Sequence, residues 1–187
     1  MGCGWVPLGA GGHGRTYCKR VHELAITIIG PDRTGIVADV AEALAEVGAN
    51  LTDSTMTRLR GHFAMTLVCT GPTAAEAEAA LEPLTGVLTT VRKVEPEADA
   101  AGAGEPYVVS VHGADRLGIV SAVTRVVAGA GGNITDLSTR LAGTLYVLIA
   151  EVDLPAGSGD MLAEQLAVAA AELGVEVTLR RAESEIL

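Results

Sequence analysis

The stretch GPDRTGIVADVAEALAEVGANLTD, residues 30–53, recurs further along the chain as GADRLGIVSAVTRVVAGAGGNITD, residues 113–136. Twelve of these 24 positions are identical in register. Unrelated sequences would share only about one or two of them by chance, so the match indicates an internal duplication. The chain is therefore predicted to contain two copies of one structural module.

The first copy alternates between strand and helix patterns. Apolar residues at every second position predict a buried strand before the repeat, and residues 31–35 form a turn. Apolar residues at helical spacing then predict a helix that ends near Gly48. Residues 50–58 and 62–70 are typical of a hairpin whose turn lies at Arg60-Gly61.

The remainder of each copy continues in the same order. A capping box at residues 73–76 predicts the start of a second helix, and Val87 to Val94 alternate as a last strand. The second copy repeats this order, with a helix from about Ser158 to Leu173 that Gly174 ends. Both copies are thus β-α-β-β-α-β, which predicts an α+β fold of two ferredoxin-like modules, each an antiparallel sheet with helices on one face.

The module boundaries follow from composition. We expect the first module at residues 22–94 and the second at residues 106–182, joined by the polar, glycine- and alanine-rich linker 95–105. Residues 1–21 show no periodicity and are predicted to be disordered or a misassigned start, and residues 183–187 to be a short C-terminal tail.

Composition excludes several classes of function. No window approaches the ~20 uncharged apolar residues that a membrane helix needs. Residues 1–20 lack the apolar region of a secretory signal, so we expect a cytoplasmic protein without membrane contact. The formal net charge of −10 argues against direct binding of nucleic acid.

The three cysteines predict neither a disulfide set nor a metal site. Cys69 lies in a predicted strand and is interpreted as a small buried apolar residue. A metal site formed by Cys3 and Cys18 with His13 and His22 is the less favoured alternative, because flexible glycines around them would make it costly to order. We therefore expect no metal and no cofactor.

The repeated residues concentrate in the turn after the first strand, in the first helical turn and at the start of the second strand. Free N–H groups at a helix start can donate to a carboxylate, while an aspartate can bind an ammonium group and an asparagine amide can orient the ligand. The topology is expected to bring the turn and the asparagine close together at one end of the sheet. The candidate ligand-binding residues are Asp32, Gly35, Ile36, Val37 and Asn50 in the first copy, and Asp115, Gly118, Ile119, Val120 and Asn133 in the second.

A purely structural interpretation of these residues stays open. Asp32 could cap its helix, Gly35 could satisfy a tight turn, and Asn50 could hold a left-handed turn after Gly48. Arg33 and Arg116 are interpreted as solvated loop charges, with ligand contact as the less favoured alternative.

The DRxGIV turn, followed by GxN(L/I)xD, resembles the ACT domain, a βαββαβ regulatory module. The resemblance covers residues 22–94 and 106–182, and a bare tandem pair of this length is similar to the glycine cleavage system transcriptional repressor-like proteins. It implies a small amino-acid ligand, bound by the candidate residues at interfaces between paired ACT domains. Leu117 and His112 in the second copy replace Thr34 and Ile29, which implies that the two sites differ in ligand or that one is silent.

The resemblance also implies a non-catalytic protein that acts through a partner, either a regulatory protein in transcription or an enzyme of amino-acid metabolism, and it leaves a homodimer open. No catalytic residues are expected, since the common nucleophile, metal and phosphate motifs are absent from the sequence. An acylphosphatase-like enzyme using Arg33 with Asn50, or their repeats, is the alternative of a different class. RNA binding is disfavoured because only Phe63 and Tyr146 could stack bases on the third strands.

Overall fold

The computed structural model describes residues 23–95 and 104–182. The predicted tails 1–21 and 183–187 and most of the predicted linker 95–105 lie outside these residues. The alternative metal site at Cys3, Cys18, His13 and His22 also lies outside them.

Each repeat folds into the predicted order of elements. The first repeat contains β1 (Glu23–Pro31), α1 (Ile36–Glu46), β2 (Asn50–Leu59), β3 (His62–Thr70), α2 (Ala74–Leu81) and β4 (Leu88–Val94). The second contains β5 (Glu105–Ala114), α3 (Ile119–Gly129), β6 (Asn133–Ala142), β7 (Leu145–Leu154), α4 (Gly159–Leu173) and β8 (Val175–Arg181).

Each repeat forms one four-stranded sheet. The strand orders are β2-β3-β1-β4 and β6-β7-β5-β8, and all neighbouring strands are antiparallel. This is the order of the split βαβ arrangement, so the predicted α+β, ferredoxin-like fold class is confirmed for both repeats.

The sheets bury one face against their helices. In β1, Leu24, Ile26 and Ile28 are fully buried, while the residues between them are more exposed. Ile36 and Val40 of α1 pack into the same cluster, as their helical spacing predicted. Burial of each such side chain contributes roughly 1.5–3 kcal/mol of hydrophobic free energy.

The second repeat has its own core, built in the same way. Val109 and Val111 of β5 are fully buried, and Ile119, Val123 and Val127 form the buried face of α3. The two clusters share no residue, so each repeat supplies a complete core from its own sequence.

The predicted helix ends are also confirmed. The Thr73 hydroxyl accepts from the backbone N–H of Glu76 at 3.3 Å, and the Glu76 carboxylate accepts from the backbone N–H of Thr73 at 2.7 Å. This capping box starts α2. Gly174 ends α4 in the left-handed conformation, with φ 65°.

Cys69 lies in β3 with its side chain inside the first core, as predicted. Burial raises the pKa of the Cys69 thiol, because the apolar surroundings disfavour the thiolate.

No helix within residues 23–95 and 104–182 is long and apolar enough to cross a membrane.

Candidate functional site

The β1–α1 loop, residues 32–35, presents free backbone donors at the start of α1. Gly35 precedes the helix in the left-handed conformation, and its carbonyl accepts from the Asp39 N–H at 2.9 Å. The Ile36 N–H donates to the backbone carbonyl of Arg33 at 3.4 Å. The N–H groups of Val37 and Ala38 have no acceptor among the described residues. These free donors and the helix dipole favour an anion at this position.

The β5–α3 loop, residues 115–118, repeats this backbone. Gly118 is left-handed with φ 93°, and its carbonyl accepts from the Ala122 N–H at 2.9 Å. Within the described chain, the N–H groups of Ile119, Val120 and Ser121 have no acceptor. Three adjacent donors therefore remain at the start of α3.

Both glycines are required by backbone conformation rather than by space. A Cβ on Gly35 would lie no closer than 4.0 Å to its nearest neighbour, an Asp39 carboxylate oxygen. A Cβ on Gly118 would lie 3.7 Å from the Ser121 hydroxyl. The left-handed φ of each glycine is the feature that other residues cannot adopt without strain. This is the tight-turn role considered for Gly35 from the sequence.

The charged residues of the β1–α1 loop pair within their own module. Asp32 does not cap α1; its carboxylate lies 3.2 Å from the Nε of Arg58, at the end of β2. Arg33 lies 2.6 Å from the carboxylate of Asp39 in the first turn of α1. Arg33 is exposed, as predicted for a solvated loop charge, and the first helical turn also supplies it with a surface ion-pair partner.

The β5–α3 loop lacks both of these partners. In the register of the repeat, Ala122 takes the place of Asp39 and Leu141 takes the place of Arg58. Neither Asp115 nor Arg116 forms an ion pair with any described residue. The Arg116 guanidinium lies beside Gly174 at the end of α4, 3.5 Å from the position that a Cβ would take there.

An open cavity of about 420 Å³ lies over the β5–α3 loop. Its volume is in the range of pockets that hold small molecules, ~300–1,000 Å³. The Tyr146 hydroxyl has no hydrogen-bond partner within the described residues, and Ser121 donates its hydroxyl proton to the Gly118 carbonyl at 2.9 Å. The lining residues are Asp115, Arg116, Leu117, Gly118, Ile119, Val120, Ser121 and Tyr146.

The four apolar candidates divide into two kinds. Ile36 and Ile119 bury their side chains in the cores, so they can meet a ligand only through their backbone. Val37 and Val120 are 40% and 38% exposed, so both backbone and side chain are accessible.

The asparagines do not lie near the loops of their own modules. Asn50 pairs with Thr70, which pairs with Glu23 at the start of β1, whereas the β1–α1 loop follows the opposite end of β1. The nine-residue β1 spans about 26 Å at the usual rise of a strand. Asn133 likewise starts β6 beside Asp153, away from the end of β5. The expectation that loop and asparagine meet at one end of the sheet is therefore wrong.

The register explains this separation. β2 is antiparallel to β3, and β3 is antiparallel to β1, so β1 and β2 run in the same direction. Their first residues then lie at the same end of the sheet, far from the turn that ends β1.

Sequence reasoning missed Tyr146 and Ser121 as members of the cavity. The sequence predicts Tyr146 only as a candidate for stacking RNA bases, and it predicts no role for Ser121. The repeat offered a signal for both, since they replace Phe63 and Ala38 with hydroxyl-bearing residues at matching positions.

No cluster of three or more histidine, cysteine, aspartate or glutamate side chains suited to a metal occurs in the part of the chain that the structure describes.

Two consecutive βαββαβ modules with this strand order define a tandem ferredoxin-like protein. The model of the ACT domain family matches residues 22–92 and 105–180, which together exceed half of the chain. The chain therefore belongs to the ACT domain family, as the DRxGIV and GxN(L/I)xD motifs predicted.

Curated relatives match a stretch about as long as one repeat. A UPF0237 protein of Methanocaldococcus jannaschii is 39% identical over 75 residues, which are 39% of this chain and 83% of that protein. A UPF0237 protein of Methanopyrus kandleri is 40% identical over 75 residues, with the same shares covered.

Two solved structures are similar over both repeats. A protein of Galdieria sulphuraria, described as unknown, has a TM-score of 0.76 at 30% identity, covering 87% of this chain and 99% of its own. A candidate glycine cleavage system transcriptional repressor has a TM-score of 0.62 at 20% identity, covering 88% of this chain and 99% of its own. At that identity the second likeness supports the fold alone.

Proposed function

We propose that this protein is a non-catalytic sensor of a small amino acid, which binds at a helix start of the repeated module and acts on a partner protein. The output that fits this role best is regulation of genes of amino-acid metabolism. Regulation of an enzyme of amino-acid metabolism by the same sensor is the alternative output.

The observation that carries the proposal is the cavity over the β5–α3 loop. Three N–H groups at the start of α3 that have no acceptor within residues 23–95 and 104–182 suit a carboxylate. Asp115, which has no ion-pair partner within the same residues, suits an ammonium group. An amino acid presents these two charges on adjacent carbon atoms, so a single loop can satisfy both.

The asparagines fit the same ligand only from another module. Because Asn50 and Asn133 lie at the far ends of their own sheets, they would reach a ligand at a loop only when two modules pair. The proposal includes a homodimer as the assembly that pairs them, and ligand binding would favour one assembly by roughly 1–3 kcal/mol.

The side chains of the cavity support a non-catalytic role. Its candidate nucleophile, Ser121, donates its proton to a backbone carbonyl rather than to a general base. A serine nucleophile requires an adjacent base to activate it.

A partner protein is the natural route to any effect on transcription. The net charge of −10 opposes direct contact with DNA, whereas a change of assembly can be detected by another protein. The fold shared with a candidate glycine cleavage system transcriptional repressor agrees with this role, and the role itself comes from the family resemblance.

Thermal denaturation with each of the twenty amino acids at millimolar concentration, combined with light scattering, tests the proposal. We expect one or a few amino acids to raise the Tm, since ligand at 100 times its Kd stabilises by about 2.7 kcal/mol. The N-acetyl and carboxamide derivatives of the active amino acid, which each lack one charge, should have little effect. An unchanged Tm and assembly with all twenty would contradict sensing.

Hydrolysis of acetyl phosphate tests the enzyme alternative. We expect no turnover above the spontaneous rate. Turnover that is lost in Arg33→Ala or Arg116→Ala would instead favour an acylphosphatase.

A further inference from the structure

The two β–α loops share a backbone but differ in their charge pairing. We propose that only the β5–α3 loop binds the amino acid, and that the β1–α1 loop is closed by its own ion pairs. This inference rests on the proposed function and assigns the binding to one of the two repeated loops.

The start of α1 already holds a carboxylate of its own. Asp39 lies in the first turn of α1, where an acidic side chain satisfies the helix dipole, and Arg33 lies 2.6 Å from it. A ligand carboxylate at this helix start would approach a like charge and would compete with Asp39 for Arg33.

The ammonium side of the first loop is also occupied. Asp32 is only 26% exposed, and its carboxylate lies 3.2 Å from the Arg58 Nε. An incoming ammonium group would have to compete with the Arg58 guanidinium for this carboxylate.

The second loop has neither obstacle. The first turn of α3 contains no acidic residue, because Ala122 replaces Asp39. Leu141 replaces Arg58, so Asp115 faces the cavity without an ion-pair partner among the described residues. The substitutions that separate the repeats thus remove both internal competitors of a zwitterion.

A second difference adds a polar group to the same cavity. Phe63 is fully buried in the first core, whereas Tyr146 at the matching position is partly exposed and lines the cavity. Its hydroxyl, which has no partner in the described chain, can donate to the ligand carboxylate.

The main test introduces the ion-pair partners of the first loop into the second module. The double variant Ala122→Asp/Leu141→Arg installs the first loop's pairs in the second module, and Asp115→Asn removes the free carboxylate. Asp32→Asn is the matched control in the first loop. Isothermal titration calorimetry of the full chain, with each of the twenty amino acids as the injected probe, gives affinity and stoichiometry.

We expect the wild-type chain to bind one amino acid per chain. Asp115→Asn and the double variant should weaken this binding about 10–100-fold, the loss expected for a hydrogen bond to a charged group. Asp32→Asn should change the Kd by about twofold or less. Far-UV circular dichroism of each variant verifies folding, and if the double variant does not fold, the comparison of Asp115→Asn with Asp32→Asn decides.

Two molecules bound per chain, or equal losses in Asp32→Asn and Asp115→Asn, would overturn the inference while leaving the proposed function in place. Binding that survives Asp115→Asn and Ala122→Asp/Leu141→Arg unchanged would also overturn it. Failure of all twenty amino acids to bind the wild-type chain would reject the proposed function itself, and the inference with it.

Discussion

Gly118 precedes α3 and Gly129 is its last residue, and the two glycines differ in backbone conformation. Gly118 has φ 93° just before the helix, whereas Gly129 ends the helix outside the left-handed region and has open space around the position of a Cβ. We predict that Gly118→Ala lowers the free energy of unfolding by about 1–2 kcal/mol, because the left-handed conformation strains alanine. Gly129→Ala should raise it by about 0.5–1 kcal/mol.

Urea denaturation of the two variants, followed by far-UV circular dichroism, measures the difference. Two variants of equal stability would mean that the left-handed turn before α3 is not needed for the fold.

At the residue scale, burial was easier to predict than charge pairing. Ile36 and Val40 lie on the buried face of one helix, so their spacing alone indicated their burial. The pairing of Asp32 with Arg58 depends on two strands meeting at one end of the sheet, which no local pattern reports. The ion pair of Arg33 could have been predicted from Asp39, since acidic residues in the first turn of a helix commonly stabilise its start.

The start of α2 makes the stability of the first module depend on pH. The hydrogen bond from the Thr73 backbone N–H holds the pKa of the Glu76 carboxyl below its ordinary value of 4.5, and the bond with the Thr73 side chain adds to this. A carboxyl whose pKa is lowered by folding stabilises the folded state above its unfolded pKa, and this contribution disappears as the pH falls through the folded pKa.

We therefore predict that wild type and Glu76→Gln differ most in stability near neutral pH, and that their difference narrows below about pH 4.5. Thermal denaturation across the acid range measures this. Glu78→Gln is the control on the same helix, since Glu78 makes no side-chain hydrogen bond in the described structure. A difference in stability between wild type and Glu76→Gln that stays constant at all pH values would contradict the role of the charged Glu76 carboxylate in the cap.

At the scale of elements, local chemistry predicted where the helices and strands begin and end. It did not predict which residues lie together at one end of the sheet. The capping box at Thr73 and the glycine after α4 are local signals, and both were correct. Asn50 was predicted at the wrong end of the sheet. The strand order decides its position, because two strands separated by one antiparallel neighbour run in the same direction, which puts Asn50 beside the start of β1.

At the scale of the whole molecule, both modules keep the fold and the Asp-Arg pair of the loop, while the ion-pair partners of these charges differ. Both modules keep the glycine, the buried isoleucine and the left-handed turn at their helix starts. Asp39 in the first turn of α1 and Arg58 near the end of β2 correspond to the apolar residues Ala122 in α3 and Leu141 in β6. One copy can therefore retain the structure of the loop while the other is free to use it for binding.

The separate cores predict how the molecule responds when a buried side chain is shortened. Leu148 is fully buried among side chains of the second repeat alone, so Leu148→Ala should lower the free energy of unfolding of the second module by about 2–5 kcal/mol. Amide hydrogen exchange should then accelerate in β5–β8 and stay close to wild type in β1–β4, because the first core contains no residue from the second repeat. Leu67→Ala in the first core should give the reverse pattern. Equal acceleration in both repeats with either variant would show that the duplicated modules unfold as one cooperative unit, despite the independence of their buried residues.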